Sequence, residues 1–172
     1  RDGWHVRQLQ TDRPDIAALT AQAANPDKTW MPATIPAQVH DILLAGGKIP
    51  DPRVGKNAAK STWVGQKDWA YACTFASPGG TGPVFLGFGG LDTIAAAYVN
   101  GQLAGRFENM NRRHVAPVRK FLTPPGKSNT LVLVFSSPLR HGNEARKKGL
   151  SPSKALRKCH SDFGSYMGAR PH

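Results

Sequence analysis

The amino-acid sequence predicts an all-β fold, an antiparallel β-sandwich of the jelly-roll kind with a few short helices. Three observations carry the prediction. Short runs of strand-forming residues recur through the middle of the chain, at 84–88, 94–99 and 129–137. Turn residues punctuate them, with 18 glycines and 14 prolines in 172 residues. Asn100-Gly101 joins two of the runs, and Asn-Gly between apolar runs marks a hairpin because both central residues of a type I′ turn need positive φ.

The elements follow in chain order. Residues 3–9 alternate weakly and predict a short edge strand. Asp12 is placed to cap a helix over 14–24, with Pro14 and Asp15 in its first turn. A second helix is expected over 36–45, burying Val39, Ile42 and Leu43. Gly46 and Gly47 end it, since glycine accepts the left-handed conformation at low cost. Residues 49–60 contain Pro50 and Pro52 without periodicity and predict a loop. Strands are expected at 61–64, 68–77 and 84–88, then at 94–99 and from Leu103 onward. A polar loop over 106–113 leads to a run at 114–118. The run 129–137 is apolar on both faces and belongs at the centre of a sheet or between layers. Residues 140–158 read as basic and irregular, with one helix expected from Ser151 as cap and Pro152 at its first position.

The length fits a single domain over 1–172, with its core at about 30–138 and a basic irregular extension, 139–172, leading towards a further domain. No apolar run approaches the roughly 18 residues of a membrane-spanning helix. The chain begins at Arg1 without methionine, and removal of an earlier segment such as a signal peptide would place the protein in the periplasm or outside the cell. Charge is uneven. Residues 1–105 hold 9 Lys/Arg against 8 Asp/Glu, whereas 106–172 hold 14 against 3. Such a half attracts phosphate backbones or anionic glycans, forms a solvated basic face, or meets an acidic neighbouring domain. Cys73 and Cys159 have no motif spacing; Cys73 lies on the aromatic side of its strand and reads as a buried thiol, with a disulfide between the two as the alternative.

A series of phrases resembles one family. Trp30-x-Pro32-Ala33-Thr34-Ile35-Pro36-x-x-Val39-His40, Ile49-Pro50-Asp51-Pro52 and Trp63-Val64-Gly65-x-Lys67-Asp68-Trp69-x-Tyr71 come first. Gly90-Leu91-Asp92-Thr93, Val99-Asn100-Gly101-x-x-x-Gly105, Asn109-Met110, Phe135-x-Ser137-Pro138 and Arg157-Lys158 follow. In order and spacing this resembles the N-terminal domain of family 2 glycoside hydrolases, β-mannosidase branch, from about Trp30 to Arg170. The resemblance implies a galactose-binding-like jelly roll. It also implies a parent enzyme that removes β-linked sugars with retention, its two catalytic glutamates on a later barrel. Retaining hydrolysis needs two carboxyl groups roughly 5–5.5 Å apart. The glutamates of this chain are Glu108 and Glu144, neither in that context, so no catalytic residue is assigned within the chain.

The resemblance also points to the end of the sequence. The family pattern continues to Phe-Gly-Trp-Asp-Trp-Gly, whose Trp-Asp-Trp reaches the sugar in the barrel. Here Asp162-Phe163-Gly164 and Gly168 keep the frame, and Ser165, Tyr166 and Met167 stand in place of that trio. These three are the candidate substrate-binding residues. A tyrosine cannot accept two sugar hydroxyls as an aspartate does, but it offers one hydroxyl and a ring face.

Other candidates carry less. Asp92 and Asn109 invite a substrate role but suit a turn and an ordered loop equally. His5, His40, His114, His141, His160 and His172 show no ligand spacing, so no metal and no cofactor is expected. Trp4, Trp30, Trp63 and Trp69 suit packing better than a glycan platform. Gly87-x-Gly89-Gly90 lacks the helix and lysine of a phosphate loop. Three functions follow in order of preference. The first is a non-catalytic domain supporting the active-site rim of a β-mannosidase-like enzyme, its partners being a β-linked glycan and the remaining domains of the parent, with no membrane. The second is a free-standing carbohydrate-binding module, and the third a basic nucleic-acid-binding domain.

Overall fold

The structure, a computed structural model, describes residues 2–148. It divides into two compact units, residues Arg1–Pro36 with Asp68–Ser136, and residues Ala37–Lys67 with the chain from Ser137 onward.

The first unit is an antiparallel sandwich. Strands β1 (Trp4–Gln8), β2 (Met31–Ala33), β3 (Trp69–Ala76), β5 (Ile94–Val99), β6 (Gln102–Phe107) and β8 (Ser128–Ser136) form a six-stranded sheet in the order β2-β1-β3-β8-β5-β6. Strands β4 (Phe85–Phe88) and β7 (His114–Pro117) form a second, two-stranded sheet. The expected all-β class holds, and β8 is central as its two-sided apolar run requires. β1 is not an edge strand, because Met31–Ala33 pairs along its other side.

Register decides which side chains share a face. Ala70 lies opposite Val134 and Ala72 opposite Val132, while Ala96 and Tyr98 lie opposite Val134 and Val132 from the other side. This face is covered by helix α1 (Ile16–Ala24), whose Leu19 and Ala23 join Leu9, Trp30, Ala70, Ala72, Val132 and Val134 in one core. The alanines leave room for the helix to approach. Buried side chains begin at Val6, well ahead of Trp30. The helix starts later than expected: Asp15, not Asp12, is its cap, accepting the Ala18 amide at 3.1 Å.

The opposite face carries Ala95 and, across from it, Phe107 of β6. Phe107 packs against Phe88 of β4 and His114 of β7, with ring centroids 5.5 and 5.1 Å away, so the second sheet stacks on this side. A Cβ on Gly105 would lie 2.6 Å from the Phe107 ring, so only glycine lets that ring fold back over its own strand.

The Asn100-Gly101 hairpin forms with φ of 50° and 80°. Asn100 does more than turn the chain. Its Oδ1 accepts the Thr130 amide at 2.9 Å, and its Nδ2 donates to the Phe121 carbonyl and to Asn129 Oδ1, both at 2.8 Å. Asn129, 1% exposed, also accepts the Thr123 amide at 2.9 Å. Hairpin and central strand are thus pinned through two side-chain amides, Asn129 buried and Asn100 half-buried.

The second unit is helical. It contains α2 (Val39–Ala45), α3 (Asn57–Ser61), a 3₁₀ turn (Thr62–Gln66) and α4 (Pro138–Lys147). α2 buries Ile42 and Leu43 as expected, whereas Val39 is half-buried; Gly47 follows with φ 63°. The strand expected at 61–64 is instead helical. Asn57-Ala58-Ala59-Lys60 has strong helix propensity, and the buried residues Ser61 and Val64 are three apart, a helical spacing. The stretch after Pro138, expected to be irregular, is helix α4. It starts with the Ser-Pro signature that Ser151-Pro152 also carries, here at Ser137-Pro138, where Ser137 Oγ accepts the Arg140 amide at 3.2 Å. Ser137 also donates to the Gly65 carbonyl at 2.8 Å, tying α4 to the 3₁₀ turn. Ser151 itself lies outside the described residues.

Candidate functional site

The sequence candidates for sugar contact, Ser165, Tyr166 and Met167, lie outside the described residues, as does Cys159. Within them, the irregular backbone of the first unit concentrates where the chain crosses between sheets. The 89–93 connection leaves β4 for β5, and the 108–113 loop leaves β6 for β7. They meet at Gly90, where a Cβ would stand 2.9 Å from the Met110 carbonyl oxygen. Asn109 has φ 83°, its side chain accepting the Asn111 amide at 2.9 Å. The buried ring of His114 lies 3.0 Å from the Asn109 carbonyl, an acceptor only, so Nε2 carries a proton and donates. Asn109 therefore orders a loop. The Asp92 carboxylate accepts from the Thr93 hydroxyl, and the peptide between them is cis.

The remaining candidates are distributed rather than convergent. Trp30 and Trp69 are 4% and 5% exposed and belong to the core, whereas Trp4 and Trp63 are half-buried. The Arg7 guanidinium lies 5.5 Å from the Trp30 ring centroid and bonds Gln22. In the second unit, Arg53 grips both Asp51 oxygens at 3.0 and 3.1 Å, and this bonding holds the Asp51 carboxyl below the usual range. Thr29, donating from side chain and backbone, does the same for Asp27. Burial pushes the Cys73 thiol up to about 11, and its residue is half-buried. Glu108 is exposed on the loop after β6, and Glu144 is exposed on α4. Among the described residues no three His, Cys, Asp or Glu side chains gather to hold a metal.

One feature had no signal in a plain apolar run. Phe85 and Val115 are 57% and 54% exposed on the outer face of the two-stranded sheet. The alternation Phe85 out, Leu86 in, Gly87 out, Phe88 in shows it only once the layers are known.

The family model described as the glycosyl hydrolase 2 galactose-binding domain-like domain matches residues 4–169. β-Mannosidase B of Emericella nidulans is 35% identical over 152 residues, 86% of this chain and 16% of the relative. β-Mannosidase B of Thermothelomyces thermophilus is 38% identical over 128 residues, 70% of this chain and 14% of the relative. The crystal structure of a β-D-mannosidase from Dictyoglomus thermophilum superposes with a TM-score of 0.69 at 30% identity, covering 85% of this chain and 16% of that one. An exo-chitosanase of Amycolatopsis orientalis shares the fold, with a TM-score of 0.67 at 18% identity over 79% of this chain and 16% of that one. The chain thus spans about one sixth of the length of the E. nidulans relative. With the sandwich in agreement, the chain belongs to the galactose-binding-like domain of family 2 glycoside hydrolases, in its β-mannosidase-like branch.

Proposed function

We propose that the chain is a non-catalytic domain of a β-mannosidase-like hydrolase and helps to shape the rim of an active site built by another domain of the same polypeptide. The observation that carries this reading is the match over residues 4–169 to a domain of an enzyme family whose curated β-mannosidases are about five times as long as this chain. The chemistry is in keeping with it. Retaining cleavage requires a carboxyl pair roughly 5–5.5 Å apart flanking the bond. Glu108 and Glu144 belong to different units and both face solvent, without the burial that tunes a general acid. Ser165, Tyr166 and Met167 are the residues proposed to reach the sugar, Tyr166 through its hydroxyl and ring. The buried Trp30 and Trp69 count against a free-standing glycan-binding platform.

The test is an assay of nitrophenyl β-glycosides with the longest polypeptide that carries this chain, and with its Tyr166→Ala variant. Hydrolysis of the β-mannoside, with KM raised in the variant, is the expected result. Equal KM values remove the sugar contact at Tyr166. A polypeptide inactive on every glycoside removes the hydrolase assignment.

A further inference from the structure

The outer face of the β4–β7 sheet is made by Phe85 and Gly87 on one strand, opposite Pro117 and Val115 on the other. All four are exposed, Phe85 and Val115 by 57% and 54%. The absence of a side chain at Gly87 keeps its end of the patch flat. One Arg113 guanidinium nitrogen lies 3.6 Å from where a Gly87 Cβ would stand, which places a cation directly at the border of the apolar patch. At the other end of β7, Arg119 is anchored by donating to the Gly82 carbonyl at 2.7 Å. Residues 106–127 contain six Lys/Arg and a single acid, Glu108, and none of those cations has an ion-pair partner among the described residues.

We propose that this face is a docking surface for another domain of the same polypeptide, and that the occupant presents an apolar patch bordered by carboxylates. The proposal rests on the reading of the chain as one domain of a longer hydrolase. An aromatic and aliphatic centre edged by arginine is the composition of a protein interface. Charge complementarity selects an acidic partner, because the cations at both ends of the patch, without an ion-pair partner among the described residues, gain most from carboxylates. The same charges oppose a second copy of this chain, which would set arginine against arginine. A glycan fits less well, since Phe85, Gly87, Val115 and Pro117 have no side-chain acceptor for a sugar hydroxyl and arginine only donates.

Hydroxyl-radical footprinting with mass spectrometry reads the face directly. Phe85 is oxidised in the 172-residue chain, and that labelling is lost in the longest polypeptide carrying it. Arg113→Glu in the long polypeptide restores labelling of Phe85, while the buried Val132 stays unlabelled and reports an intact fold. Equal labelling of Phe85 in the short and long polypeptides overturns the proposal. So does protection in the short chain that grows with its own concentration, which marks a second copy, or protection by added mannohexaose, which marks a glycan. A reading frame without further domains removes the partner and overturns both this proposal and the hydrolase reading. Exposed Phe85 in a long polypeptide that cleaves β-mannosides overturns the docking surface alone.

Discussion

The two sheets of the first unit use similar apolar residues to opposite ends. In β8, Asn129 to Val134 are all buried, because strands flank it on both sides and layers cover both faces. In β4, Phe85 and Gly87 face outward while Leu86 and Phe88 face in, because only one face meets another layer. An apolar side chain is therefore structural in one sheet and available for contact in the other. The difference lies in the layers around a strand, not in its composition.

Changes at the two sheets should separate these roles, beginning where the effect is largest. Val132→Asp places a charge at a position 0% exposed, at a cost of more than about 4 kcal/mol. Urea titration should show no cooperative transition, and a transition near that of the parent chain would contradict the two-layer burial of β8. Asn129→Ala strands the Thr123 amide and one Asn100 amide hydrogen, costing about 2–3 kcal/mol. A loss below about 1 kcal/mol in the same titration would mean the pin carries no weight.

Cys73, on the buried side of β3, gives a chemical readout. With its pKa raised from 9.0 to about 11, the folded thiol at pH 8 should alkylate about 100-fold more slowly than in urea, in a Cys159→Ser background. The sign for stability follows. Folding favours the neutral thiol, so its contribution is complete below about pH 9 and declines as pH rises towards 11. Equal alkylation rates in the folded and unfolded chain would show that Cys73 is open to water. Gly101→Ala puts a Cβ on a residue at φ 80°, a strain of about 1–2 kcal/mol visible as a lower urea midpoint. Phe85→Ser in the 172-residue chain should change stability by no more than about 0.5 kcal/mol, since its ring is already in water. A loss comparable to that at Asn129 would erase the distinction between the sheets.

The strands were legible because their signals are local. The two-sided apolar run of β8 and the Asn100-Gly101 pair locate the centre of the sheet and its hairpin without further information. Position within a sheet was not legible: β1 reads as an edge because the three-residue β2, interrupted by Pro32, has too little pattern to reveal its partner. At 61–64, Thr62, Trp63 and Val64 are strand formers by type, yet the preceding Ala58-Ala59 helix carries them into a 3₁₀ turn. The exposed Phe85 face depends on stacking between segments far apart in sequence, through Phe107 and His114, and no local pattern encodes it. Ser165, Tyr166 and Met167 were reached through family resemblance and lie beyond the described residues.

The proposed function places catalysis on carboxyl groups outside residues 1–172, and one assay addresses that directly. Purified 172-residue chain is incubated with nitrophenyl β-D-mannoside and the absorbance of released nitrophenol is followed. No release above the buffer rate is the predicted result. Steady turnover that disappears in Glu108→Gln or Glu144→Gln would place the chemistry inside this chain and contradict its assignment as a supporting domain.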